Sequence, residues 1–306
     1  MGVRTLYLRF FDVDFNEEFP EPIGELNSLQ NQNQLNSFDK IIPTVFITNR
    51  TLIKINGDKI DSLAALISLK LTKNTEGAIF KNKIQEMLID CDWTEKTRDK
   101  YFYLIKQLKI VTNKKIISTI RLHQIKFKEK TGVPPADKGV LMAYNTGDLN
   151  DPQTINSILD VSVLNAYITH LDQYPLILDL ALPIFSWAIV QRDGQSVQLI
   201  PNFSKAVLSE NKEKKDTYTE GVYFETNTTN KITILKSGYY NGIYLYADDV
   251  IKIEEVPFSD LQAAAESLSL HIRNKNFTLS FFSLDSTNLK RYDVVDLAKI
   301  GRVFSH

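Results

Sequence analysis

Cysteine is almost absent from this chain. The single Cys91 excludes an internal disulfide, and its flanking acids, Asp90 and Asp92, raise the cost of a thiolate, so it makes a poor nucleophile. Histidine is scarce and scattered: His123, His170, His271 and His306 match no zinc spacing, and no structural metal is expected. Neither sign of charge is in excess. With 36 basic and 37 acidic residues, a net charge of −1 and no long blocks, there is no basic groove for a phosphate backbone, which argues against nucleic acid as a partner. No apolar run reaches the length of a bilayer span, and the N-terminus lacks the segments of a signal peptide. The chain as written reads as soluble. Because "MGVRTLYLRFF" enters a strand almost at once, it is also compatible with a trimmed export signal.

Several motifs are missing too. There is no GxSxG elbow, no phosphate-binding glycine loop and no dinucleotide fingerprint, so no cofactor is expected. "DVDFNEEF" (12–19) opens like a calcium loop with Asp12, Asp14 and Asn16. Glu17 stands where the tight turn needs glycine, however, and Ile23 where the bidentate acid belongs.

What is present is a globular composition: 306 residues, 43% hydrophobic and 24% charged, enough for a large core. Short runs rich in β-branched and aromatic residues recur, usually followed by a polar turn and a helical segment. They are "TLYLRFFDV" (5–13), "IPTVFIT" (42–48), "EMLIDCDW" (86–93), "IISTIRLHQI" (116–125), "GVLMAYN" (139–145), "LILDLALPIFSW" (176–187), "DVIKIEEV" (249–256) and "FTLSFFSL" (277–284). Helical patterns cover 59–70, 95–109, 155–173, 259–272, with Ser259 as a candidate N-cap, and 293–300. This alternation predicts an α/β fold, a (β/α)8 TIM-type barrel in a single domain spanning 1–306, with an open doubly wound sheet as the competitor. Two segments break the repeat. Residues 16–40 are polar and Asn/Gln-rich and read as a long loop, while 191–247 alternate like β-hairpins and read as an insertion after the sixth strand.

In such a barrel the site lies at the C-terminal strand ends, so polar residues late in strands are the candidates. Asp90 and Asp92 share a face of their strand, about 6.6 Å apart at Cα. Thr119, Arg121 and His123 share a face of the next, and Tyr7 and Arg9 lie on the first. Tyr144, Asn145, Asp179, Ser186, Trp187, Ser283 and Asp285 complete the set. Acids, guanidinium groups and aromatic rings around one mouth suit a polyhydroxylated ligand. Asp90 and Asp92 are then the acid/base pair. Arg9, Arg121 and His123 orient the ligand, with Asn145, Asp179 and Asp285 beside them, and Trp93, Tyr144 and Trp187 offer stacking faces.

Each assignment has a plainer alternative. The two acids pair equally well with Arg121 or Arg9, and Asp179 sits mid-strand, where a salt bridge explains it as well as catalysis does. His123 serves as a core histidine as readily as a proton carrier, and Trp93 and Trp187 as packing residues. Glu254 and Glu255 are a further source of acid. A third reading has Arg121 and His123 gripping an anionic group on another small substrate.

The strings "LYLRFFDVD", "PTVFITNRT", "IDCDWTEKTRDKYFYLIKQLK", "IRLHQIKFKEKTGVPPADKGVLMAYNTGDL", "NSILD" and "YPLILDLALPIFSW" resemble an uncharacterised family of hypothetical proteins and lipoproteins common in Bacteroidota. The resemblance covers most of the chain. It implies a glycoside-hydrolase-like barrel, an exported or lipid-anchored envelope location, and a further strand before "VRTLYLRFFDVD" that this sequence does not show. With that strand counted the barrel count shifts by one, and either a piece is missing here or "DVIKIEEV" is not a barrel strand. The expected function is carbohydrate-active, with a glycan or small polar ligand as partner. A non-catalytic glycan-binding or scaffold protein is the alternative.

Overall fold

Most of these β-branched and aromatic runs do form strands. The computed structural model describes residues 2–26, 32–76, 80, 82–151, 153–206, 217–219, 222–228, 230–240, 242–274 and 276–304. In chain order the strands are β1 (Thr5–Phe15), β2 (Pro20–Ile23), β3 (Lys40–Ile47), β4 (Glu86–Cys91), β5 (Lys115–Arg121), β6 (Lys138–Met142), β7 (Leu178–Pro183) and β8 (Ser186–Arg192). They continue with β9 (Gln195–Pro201), β10 (Thr217–Thr219), β11 (Val222–Thr228), β12 (Lys231–Lys236), β13 (Gly238–Tyr240), β14 (Ile243–Leu245), β15 (Val250–Glu255) and β16 (Leu279–Phe282).

Eight strands share one sheet, ordered β16-β7-β6-β5-β4-β3-β1-β2. Adjacent strands from β1 through β3, β4 and β5 to β6 run parallel, and β2, which lies within the expected long loop, folds back antiparallel on β1. The amides of Gly139 and Ala143 donate to Ile177 and Ala181, and those of Leu180 and Ile184 to Thr278 and Phe282, so β7 and β16 continue the parallel register. The fold is therefore α/β with a barrel-type sheet, and the barrel is incomplete: among the described residues the strand order has two ends.

Two strand expectations need correction. "LILDLALPIFSW" is not one strand. It breaks after Pro183, which has no N–H for the ladder, and resumes at Ser186 as β8 of a second sheet. "DVIKIEEV" is not a barrel strand, because β15 pairs antiparallel with β8 and β12 in the six-stranded sheet β10-β11-β12-β15-β8-β9. The N-cap expectation at Ser259 also fails: its helix runs Phe258–His271, so Ser259 lies inside the first turn.

The chain divides into two compact units, one of residues 1–142, 170–180 and 272–278, the other of 143–169, 181–271 and 279–306. In the first unit, α1 (Asn49–Lys54) follows β3 and is capped by Thr48, and α2 (Ile60–Asn74) precedes β4. Helix α3 (Arg98–Thr112) buries Tyr101, Leu104, Ile105 and Leu108, the three-and-four spacing of an apolar stripe, and ends on left-handed Asn113. The Tyr101 hydroxyl lies 2.7 Å from Ser118 Oγ of β5, so Ser118 marks the helix-facing side of the sheet and Thr119 the opposite one. Gly139 is required by close packing: a Cβ there would meet Leu178 Cδ2 at 2.6 Å and Ile120 Cγ1 at 2.8 Å. Gly139→Ala is expected to destabilise the protein by roughly 1–3 kcal/mol through overpacking, read as a lower urea midpoint at unchanged slope.

In the second unit, Ala188, Val190, Ile200, Phe224, Ile232, Ile234, Ile251 and Ile253 form the apolar core of the antiparallel sheet. Hairpin β8–β9 turns through Asp193 and Gly194, both at positive φ, the type I′ geometry that Asp-Gly favours.

Candidate functional site

Parallel register stacks the sheet face opposite the helices into layers. Arg9, Thr44, Leu88, Ile117 and Lys138 are register neighbours, and one step further along the strands come Asp12, Phe46, Asp90, Thr119 and Val140. Arg121 of β5 follows at the rim, with Asp92 just beyond β4. A closed barrel fills this space with branched apolar side chains. Here the face is charged, and its charges pair almost completely. Arg9 binds Asp12, Lys40 binds Glu86 at 2.5 Å, Arg121 binds Asp92 and Lys138 binds Asp179.

Four cations thus take four acids, and Asp90 is the fifth. It forms no ion pair among the described residues. Its Oδ1 accepts a 2.8 Å hydrogen bond from the Thr119 hydroxyl. Burial pushes its pKa above the ordinary carboxylate range, against the opposing pull of Thr119 and of the charges of Arg121 and Arg9. Register places Phe46 beside it, and the Arg9 guanidinium lies 5.3 Å from that ring's centroid. Two buried polar atoms of the same face, Thr44 Oγ1 and Arg121 Nε, lack partners among the described residues. The adjoining calcium-like stretch is occupied by protein: Asp14 accepts from Arg50 and Thr48, which pull its pKa down to about 2.

Asp90, Asp92, Arg9 and Arg121 are therefore brought together as the sequence suggested, with Asp92 engaged by Arg121 and Arg9 by Asp12. Three candidates of this unit sit elsewhere. Trp93 is 1% exposed, stacked 4.8 Å from Tyr101 with its Nε1 donating to the Thr131 carbonyl, so it offers no face to a ligand. His123 is not on the strand face. β5 ends at Arg121, whose amide donates to Gln124 Oε1 at 2.8 Å, and His123 falls in the helix α4 (Leu122–Lys126). Its pKa is lowered, first by desolvation and then by the charge of Arg121, which disfavours the imidazolium there. Asp179 lies at the start of β7, fixed by Lys138, the Tyr7 hydroxyl and the Thr278 amide, well below the strand end. Cys91 is fully buried, and burial pushes its thiol pKa up.

Tyr144, Asn145, Trp187 and Asp285 belong to the second unit. Tyr144 stacks on Phe282 at 5.5 Å, and Phe185 meets Tyr144, Phe282 and Trp187 edge-on. Of these, Phe282 is the exposed ring, at 49%, and Tyr144 is buried. Asn145 adopts positive φ and donates its amide to Ile158, while Asp285 caps a short helix by accepting from the Thr287 amide. Glu254 is a buried hub. It pairs with Lys252 at 2.7 Å and accepts from the Ser157 amide at 2.9 Å and Trp187 Nε1 at 3.0 Å.

The sequence reading missed Asp12, Thr44, Phe46, Glu86 and Lys138 as lining residues. Their signal was available in period-two alternation, which puts Glu86, Leu88 and Asp90 on one side of β4, and Lys40, Ile42, Thr44 and Phe46 on one side of β3.

Solved structures share this architecture. A chitinase from Chromobacterium violaceum superposes with a TM-score of 0.58 at 9% identity, covering 100% of this chain and 92% of the other. The spore cortex-lytic enzyme SleL of Bacillus megaterium gives 0.52 at 9% identity, covering 98% and 73%. Catalytic domain 2 of an Ostrinia furnacalis Group II chitinase gives 0.50 at 10%, covering 100% and 97%. Such low identity carries the fold alone. No protein-family model matches the sequence, and no curated protein does. Among the described residues, no helix is long and apolar enough to cross a membrane.

Proposed function

We propose that the chain is a carbohydrate-active barrel protein that takes a glycan at the C-terminal ends of β3 to β5, with Asp90 as its acid. The observation that carries this reading is the leftover carboxyl. On a face where every other acid is held by a cation, Asp90 is desolvated toward its protonated form, as proton donors are. Carboxyl, hydroxyl and guanidinium groups beside a phenyl ring match the demands of a sugar, and the fold-level likeness to chitinases and a spore cortex-lytic enzyme agrees with that ligand class. Chitin oligosaccharides and cortex fragments are the glycans to screen first. Turnover that Asp90→Asn abolishes while the fold persists supports the reading; turnover retained by Asp90→Asn removes Asp90 from it.

A second reading, glycan binding without hydrolysis, is favoured by a specific observation. Two-carboxylate mechanisms need two free acids, and both Asp92 and Asp12 are tied to arginines. Saturable glycan binding with no product selects this reading. In either case Asp92→Asn releases the Arg121 guanidinium from a half-exposed ion pair and is expected to tighten sulfate binding by no more than about fivefold, measured by titration calorimetry. The same proposal includes membership of the Bacteroidota family that the sequence resembles and an exported or lipid-anchored location; fractionation of cells expressing the native gene tests the location.

A further inference from the structure

The hydrogen bonds around Asp90 also bear on which of its oxygens carries the proton, an inference that rests on the reading of Asp90 as the acid of the site. Thr119 is buried, and its hydroxyl oxygen accepts from the Cys91 amide at 3.4 Å while lying 2.8 Å from Asp90 Oδ1. The hydroxyl has one proton, and Asp90 Oδ1 is its acceptor. Were the acid proton of Asp90 placed on Oδ1 and donated to Thr119, the Thr119 proton would lose that acceptor inside the sheet, a cost that buried donors rarely bear. Oδ2 is not constrained in this way, since no described residue donates to it or accepts from it. We propose that Thr119 is a positioning residue that directs proton transfer from this site: it holds Asp90 Oδ1 as an acceptor, so that the neutral acid carries its proton on Oδ2 and presents it to the ligand.

Two consequences follow. The Thr119 donor stabilises the carboxylate, so its removal shifts Asp90 toward the protonated form. Neutral Asp90 also loses its directional preference, because either oxygen can then hold the proton. The test uses the intact chain without ligand. Carboxyl-carbon NMR of aspartate-labelled protein, with the Asp90 signal assigned by its absence in Asp90→Asn, follows that one titration. Thr119→Val, close in shape, is expected to weaken Asp90 proton dissociation about tenfold, as loss of a hydrogen bond to a charged group implies, and Thr119→Ser is expected to restore it. Neutron diffraction from deuterium-exchanged crystals at acid pH locates the deuteron directly. A deuteron on Oδ2, with that of Thr119 aimed at Oδ1, supports the assignment. A deuteron on Oδ1 pointing at Thr119, or an Asp90 titration identical in wild type and Thr119→Val, overturns it. Neither readout needs turnover, so an absence of glycan activity would defeat the functional reading and leave this one to be judged on its own.

Discussion

Glu254→Ala is expected to remove about 3–5 kcal/mol of stability, the usual cost of stripping one partner from a buried ion pair. Both members are withdrawn from water: the Glu254 side chain is 1% exposed and that of Lys252 11%. Alanine strands the Lys252 ammonium, which among the described residues keeps only the Thr154 carbonyl as a strong acceptor, and it orphans the Ser157 amide and the Trp187 indole N–H. A loss of this size is a large fraction of the roughly 5–15 kcal/mol that holds a typical domain together. The chemistry ranks the variants. Glu254→Gln keeps a carbonyl for the two N–H donors and should lose less than alanine, whereas Glu254→Leu combined with Lys252→Met, which removes both charges, should recover much of the loss. Urea unfolding followed by tryptophan fluorescence checks this, with Trp93→Phe as the background so that Trp187, in contact with Glu254, reports alone. If Glu254→Ala unfolds within about 0.5 kcal/mol of that background, the pair is solvated and Glu254 is not a hub.

The same residue shows what the sequence could and could not convey. "DVIKIEEV" alternates perfectly well as a strand, and alternation says which residues share a face: Ile251 and Ile253 on one, Lys252 and Glu254 on the other. It does not say which sheet receives the strand. That depends on pairing with β8 and β12, and the Glu254 contacts to Ser157 and Trp187 span 97 and 67 residues. The barrel strands were legible where local pattern decides, in β1 and β3 to β6. The acids of "DCDW" were legible as rim residues for the same reason. His123 was misplaced because β5 stops two residues earlier, and Gln124, three residues after Arg121, is the capping signal that marked the stop. Trp93 was misread because an indole at a strand end packs as readily into the following helix, here against Tyr101 and Phe102, as it faces a mouth. Of the pairings that single out Asp90, Arg9–Asp12 is local and Arg121–Asp92 was open to the sequence, whereas Lys40–Glu86 and Lys138–Asp179 join different strands, which no local rule reaches.

That residue supports the second large expectation: Asp90→Asn should reduce glycan turnover by about 100-fold or more, the contribution of a positioned general acid, and should at the same time stabilise the protein at neutral and alkaline pH. The two effects share one origin. Because burial raises the Asp90 pKa in the folded state above its unfolded value, the contribution Asp90 makes to stability is fully present below the unfolded pKa and is lost as pH rises through the folded one. At higher pH the wild type must hold a desolvated carboxylate, and asparagine, which still accepts from Thr119 through its carbonyl, need not. The melting temperatures of variant and wild type should therefore converge at acid pH and separate with the variant higher as pH rises. For a proton donor the activity follows the same group, so wild-type turnover should fall as pH climbs through the Asp90 titration. A variant less stable than wild type at every pH would mean that the charged form of Asp90 is favoured by Arg9 and Arg121 more than burial opposes it. The carboxyl would then stand beside its guanidinium neighbours as a fifth structural acid, and the binding reading would take precedence.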